Sequence, residues 1–127
     1  MTVEEQIDSI LSRLRRSQFR TRFQLTGKDL EYFKSKGMDV ILRHGADFLK
    51  TRLAPANPHN DTRQTPFKGH PIFIAQHATA TCCRKCLEKW HKIERGKALD
   101  ESEKQYIIAV WKKWLEMPAN DETEYGT

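Results

Sequence analysis

The stretch PANPHNDTRQTPFKGHP, from Pro55 to Pro71, limits the fold more than any other part of this 127-residue chain. Its four prolines and its lack of apolar periodicity exclude a regular helix or strand. Seventeen residues is long for a structureless connection in a compact domain, so such a loop is either functional or tied down by something else. Directly after it comes QHATATCCRKCLEKWH, Gln76 to His91, which holds all three cysteines of the chain and two histidines.

On both sides of the loop the pattern is helical. Thr2 with Glu5 forms a capping box, and Val3, Ile7, Ile10, Leu11 and Leu14 follow at helical spacing, ending near Arg16. Thr26 with Asp29 is a second start signal, followed by Leu30, Tyr32 and Phe33 and stopped by Gly37. A third helix is expected from Met38 to Leu53, closed by Pro55. Gly45 weakens it, and His44 reads as a locally satisfied helix histidine.

PIFIAQHA, Pro71 to Ala78, fits a short helix with Pro71 in its first turn or a buried strand over Ile72 to Ala75; the helix is preferred. A helix capped by Thr81 is expected from Cys82 to Ile93. The last runs from Asp100, boxed with Glu103, to Met117, with Ile107, Val110, Trp111 and Trp114 as its apolar face. Trp90, Trp111 and Trp114 read as core. The expected architecture is mainly α: one small helical domain with a long central loop pinned by a Cys/His metal site. Its parts would be a basic amphipathic helix over 1–18, a globular body over 19–117 and a flexible acidic tail over 118–127.

A chain of this size has room for one modest core, which a metal clip would reinforce. No segment approaches the ~18 apolar residues of a membrane span, and the acidic, broken N-terminus does not read as a signal peptide. The expected setting is cytoplasmic, where thiols stay reduced and clustered cysteines are poor disulfide candidates.

Cys83 and Cys86 form C-x2-C, His91 lies beyond them and His77 before them. Two thiolates and two imidazoles suit tetrahedral zinc, so these four are the first-choice ligands, with His70 and Cys82 as substitutes. On one continuous helix His91 would sit about 80° from Cys83 at roughly 100° per residue, so a shared ion needs the cysteines in a turn before the helix. A small enzyme is the competing reading. A thiol at a helix N-terminus beside Arg84 and Lys85, with His77 or His91 as base, would serve it. An open zinc with a bound water would serve it too, with Asp61, Glu88 or Glu94 near by. The His-x-Glu signature of the zinc deaminases is absent. A third class is a protein-binding regulator of bacterial or phage origin.

The net charge of +5 is unevenly placed: residues 13–68 hold 13 Lys or Arg against 5 Asp or Glu. RLRRSQFRTR, Arg13 to Arg22, contains five arginines and no acid. Such a run is the electrostatic footprint expected for nucleic-acid phosphates. The contact residues it implies are Arg13, Arg15, Arg16, Arg20 and Arg22, with Arg63, Lys68, Arg84 and Lys85. Phe19 and Phe23 interleave with these arginines, as stacking aromatics do in single-strand binders.

The segment Arg52 to Ile93 resembles a small uncharacterised bacterial and phage family, a domain of unknown function. Its resemblance rests on Thr65-Pro66, Gly69-His70-Pro71, Gln76 to Thr79, Cys82-Cys83-Arg84 and Cys86 to His91, a TPxxGHPxFxAQHATxTCCRxCLxKWH core. It extends from about Phe19 to Leu115. It implies that loop and cysteine segment form one unit, and it transfers no catalytic role. Relatives carry proline where this chain has Glu94, so the turn before Gly96 is expected to differ here.

Overall fold

The computed structural model describes residues 2–58 and 64–117, and among these every regular element is helical. In chain order they are α1 (Val3–Leu14), α2 (Gln18–Thr21), α3 (Gly27–Lys36), α4 (Met38–Phe48), α5 (Pro71–Ala78), α6 (Arg84–His91) and α7 (Glu101–Leu115). α4 runs on into a π-helical turn over Leu49–Leu53. The expected acidic tail, together with His59, Asp61 and Arg63, falls outside the described residues.

Local chemistry starts the outer helices. Thr2 Oγ1 accepts the Glu5 amide at 3.0 Å while Glu5 returns a bond to the Thr2 amide at 2.9 Å. Asp100 and Glu103 repeat the exchange at the head of α7, at 2.7 and 3.0 Å. Each box satisfies two amides that the helix cannot bond itself. The same signal is weaker at Thr26, which precedes α3 but makes no side-chain bond to it.

α5 is a helix rather than a strand. Pro71 occupies its first turn, and His70 caps it by accepting the Ile72 amide on Nδ1 at 3.0 Å. All eight of its residues are buried, which is why it lacks the amphipathic period of a surface helix. α3, α4, α7 and α2 pack around it. Leu25, Ile41, Leu53, Ile72, Ile107 and Trp111 form the centre of the main core. α1 lays Ile7, Ile10, Leu11 and Leu14 on α7, beside Ala80 and Val110.

Two close approaches shape this core. At Gly45 a Cβ would stand 2.8 Å from Trp111 and 2.9 Å from Ile72, so α4 can only meet α5 and α7 there without a side chain. The glycine that lowers helix propensity is what permits the packing. Arg84 is the other. Its side chain is buried, and its guanidinium donates to the carbonyls of Leu53, Pro55, Glu94 and Lys97 at 2.8–3.0 Å. It joins the end of the π turn to the 94–97 turn and is not part of any exposed basic face.

Candidate metal centre

The helix expected to begin at Cys82 behind a Thr81 cap begins two residues later. Cys83, extended at φ −158° and ψ 166°, is the cap itself, and its sulfur accepts the Cys86 amide at 3.4 Å. Thr81 is diverted into the core, where its hydroxyl accepts the Trp111 indole N–H at 2.8 Å and pairs with Thr79. Cys82 and Cys83 therefore stand in a turn and Cys86 in the first turn of α6. That is the arrangement a shared ion requires.

The three sulfurs lie within 4.8 Å of one another, and Cys82 and Cys86 are 3.7 Å apart. Thiolates bound tetrahedrally at about 2.3 Å from one zinc are about 3.8 Å apart, so this edge already has the span of a coordination tetrahedron. Three cysteines placed so can hold a metal ion. Cys82 and Cys83 are buried, and Cys86 is partly exposed.

A cation closes the group. Arg20, from α2, donates through one guanidinium nitrogen to the His77 carbonyl at 2.8 Å and to Cys82 Sγ at 3.6 Å, and through the other to Cys86 Sγ at 3.2 Å. Hydrogen bonds from the Cys82 and Cys83 thiols, then the charge and N–H groups of Arg20, hold the Cys86 thiol well below the usual range against the opposing effect of burial. Cys82 moves up, through its bonds to Cys83 and Cys86 and through burial. Cys83 also moves up: its bond with Cys82 favours the thiolate, but the bond with Cys86 and burial outweigh it. Of the three thiols, Cys86, which faces the arginine, is therefore the one that most readily gives up its proton.

The predicted histidine ligands are placed elsewhere, outside the three-sulfur group. His91 is buried, its Nε2–H donating to the Thr79 carbonyl at 2.8 Å and its Nδ1 accepting from the Tyr106 hydroxyl at 2.8 Å. Both ring nitrogens are committed, and burial lowers its pKa. His70 accepts from Ile72 on Nδ1, which leaves its proton on Nε2, the donor to His44 Nδ1 at 3.0 Å. To ligate a metal it would have to give up the cap of α5. His77 turns Nε2–H toward the carbonyls of Thr65 and Pro66 at 3.2 and 3.1 Å, leaving Nδ1 with no hydrogen-bond partner among the described residues. Its ring lies nearly parallel to both Phe23 and Phe67, with centroids 5.1 and 4.4 Å away.

The same bonds anchor the far end of the central loop. Besides the His77 contacts, Thr65 donates its hydroxyl to the Cys82 carbonyl at 2.8 Å. Loop and cysteine segment are one unit held by neutral hydrogen bonds.

Of the basic residues expected to meet phosphate, Arg13, Arg15, Arg16, Arg22, Lys68 and Lys85 are exposed. Arg20 is half-buried on the sulfurs, Arg84 is buried and Arg63 is outside the described residues. Sequence reasoning did not find Arg20 as a sulfur partner, and nothing in the spacing signals it, since 66 residues separate it from Cys86.

Fold and site together define a small, mainly helical domain with a three-cysteine group, two of its sulfurs on buried residues, that could hold a metal ion. The chain belongs to the family described as Domain of unknown function (DUF4186), whose model matches residues 8–116. The match starts ahead of Phe19, so the arginine-rich run is inside the family region and not an addition to it. No solved structure matches the chain. Among the described residues no helix is long and apolar enough to cross a membrane.

Proposed function

We propose that this domain binds one zinc ion through the thiolates of Cys82, Cys83 and Cys86, and that the ion organises a basic surface for contact with nucleic acid. The observation that carries the reading is Arg20 set across Cys82 and Cys86. Three thiolates around a divalent ion leave one negative charge, and the guanidinium supplies the matching positive one. A monovalent copper ion would leave two negative charges, so the charge balance favours zinc. N–H groups donating to ligand sulfurs also orient and tune a thiolate site. The fourth position falls to water, since the predicted imidazole ligands lie outside the three-sulfur group.

The role assigned to the metal is structural. It would join the 79–83 turn, α6 and, through Arg20, the short helix α2 within the arginine run, in a cytoplasmic setting that keeps the thiols reduced. The exposed Arg13, Arg15, Arg16 and Arg22, with Lys68 and Lys85, would then meet phosphates with little regard for base sequence.

The experiment is metal analysis by elemental mass spectrometry on untagged protein, paired with thermal melts with and without chelator. About one zinc per chain and a melt that collapses on chelation are expected. Replacing the ion with cobalt should produce an intense thiolate-to-cobalt charge-transfer band that each Cys→Ser variant weakens. A metal-free, stably folded protein would overturn the reading. A cysteine that stays fast-reacting in saturating zinc would point instead to thiol catalysis. Nucleic-acid affinity should fall steeply between low and physiological salt, and its absence at low salt would remove that half of the proposal.

A further inference from the structure

Two of the four most exposed large apolar side chains on the described surface, Phe19 at 43% and Phe67 at 63%, belong to one ladder of rings. Phe19 meets Phe23 edge-on at 5.2 Å, Phe23 lies nearly parallel to Phe67 at 6.3 Å, and His77 stacks on both. Residues 18–23 and 65–77 are far apart in sequence, and the sulfur centre and α5 bring them together. The two outer rings, Phe19 and Phe67, are largely open to solvent.

The two chain segments that carry the ladder are basic and hold no carboxylate. Residues 9–28 contain six Lys or Arg and no Asp or Glu, and residues 64–87 contain three basic residues and again no acid. Arg22 places its guanidinium 5.8 Å from the Phe19 ring centre, and Lys68, next to Phe67, is exposed. Arg20, also 5.0 Å from that ring, is committed to the sulfurs and a carbonyl and so positions the ring without being available to a phosphate.

Exposed aromatic rings on basic segments that hold no carboxylate match one polymer in particular. A single-stranded nucleic acid offers unpaired bases to stack and a phosphate for each of them, whereas a duplex keeps its base faces covered. An acidic peptide would satisfy the charges but leave two flat rings without flat partners. We infer that Phe19 and Phe67 are base-stacking platforms for single-stranded DNA or RNA, with Arg22 and Lys68 contacting the flanking phosphates. This rests on the nucleic-acid part of the function proposed above and narrows it to single strands.

The test is fluorescence anisotropy of the full chain, loaded with zinc, against labelled oligo(dT), oligo(U) and a mixed-sequence duplex of equal length at about 50 mM salt. Single strands are expected to bind more tightly than duplex. Phe67→Ala and Phe19→Ala should each weaken single-strand binding roughly tenfold, as loss of about 1–3 kcal/mol of stacking implies, and leave duplex binding unchanged. Phe67→Trp should preserve binding, and thermal melts should show each variant folded. Arg22→Ala with Lys68→Ala should reduce the salt dependence.

If the arginine and lysine changes weaken binding while Phe67→Ala and Phe19→Ala do not, the stacking inference is wrong and the basic-surface reading stands. Equal affinity for duplex and single strand has the same meaning. If no oligonucleotide binds, the basic-surface reading fails as well. Self-association in sedimentation that Phe67→Ala abolishes would then assign the rings to a second copy of the chain.

Discussion

Arg20 and Cys86 are 66 residues apart in sequence, and an Arg20 guanidinium nitrogen lies 3.2 Å from the Cys86 sulfur. The pair joins the most basic part of the chain to its only cysteines. It also explains why one arginine of a run that looks uniformly solvated is half-buried: the desolvation of its charge is outweighed by the sulfurs it faces.

Removing that charge should weaken the metal site. Arg20→Ala is expected to lower zinc affinity roughly 10- to 100-fold, the usual cost of losing a group that supports metal ligands. Arg20→Lys should restore only part of it, because an ammonium cannot span two sulfurs as the planar fork does. Competition against a chromophoric chelator measures this, and unchanged affinity in Arg20→Ala would count against the charge-balance argument.

Arg84 predicts a different phenotype from its neighbours in the basic set. Arg84→Ala would strip four carbonyls of their donor in a buried place and should cost about 3 kcal/mol or more. Arg84→Lys should recover little. Arg16→Ala, an exposed change, should leave stability within about 0.5 kcal/mol. Urea unfolding of the three variants separates them; equal midpoints would contradict the assignment of Arg84 to the interior.

Gly45→Ala should destabilise despite alanine's better helix propensity. The added methyl would meet Trp111 and Ile72 below 3 Å, and overpacking of this kind typically costs about 1–3 kcal/mol. For a domain of this size that is a fall in Tm of roughly 4–11 °C. A rise in Tm would mean that α4 and α7 can separate cheaply.

Acid should loosen the domain through His70. Burial, then the facing His44, pushes its pKa down to about 4 from an ordinary 6.5. The fold therefore favours the neutral ring, and the unfolded chain binds the extra proton between those two values. Stability is full above about pH 6.5 and declines as pH falls toward 4, the slope having the sign set by greater proton uptake in the unfolded state. The rings packed on His70 are Tyr32, His44, Phe48 and Phe73, with Arg52 over the last two, and none of these neighbours is a carboxylate. Protonation would also cost α5 its cap. His70→Asn, which can cap without titrating in this range, should flatten the stability profile between pH 6.5 and 4. A slope equal to that of the unaltered protein would assign it to other groups.

What could be read from the chain is what depends on neighbours a few residues away. Thr2 with Glu5, Asp100 with Glu103 and Pro71 in a first turn announce helices because a cap is a hydrogen bond between positions three apart. The C-x2-C of Cys83 and Cys86 was legible as a metal candidate for the same reason, whereas Cys82, read only as a substitute ligand, joins them through the turn that precedes α6. Other partners depend on packing. His91 finds Tyr106, His70 finds His44, Arg84 finds four distant carbonyls, and Thr81 leaves the helix start for Trp111. An imidazole can bond a metal, a carbonyl or water, and a hydroxyl or guanidinium can donate to any acceptor that packing brings within reach. Residue type and spacing set what each can do, and the arrangement of helices around α5 selects which of those bonds forms.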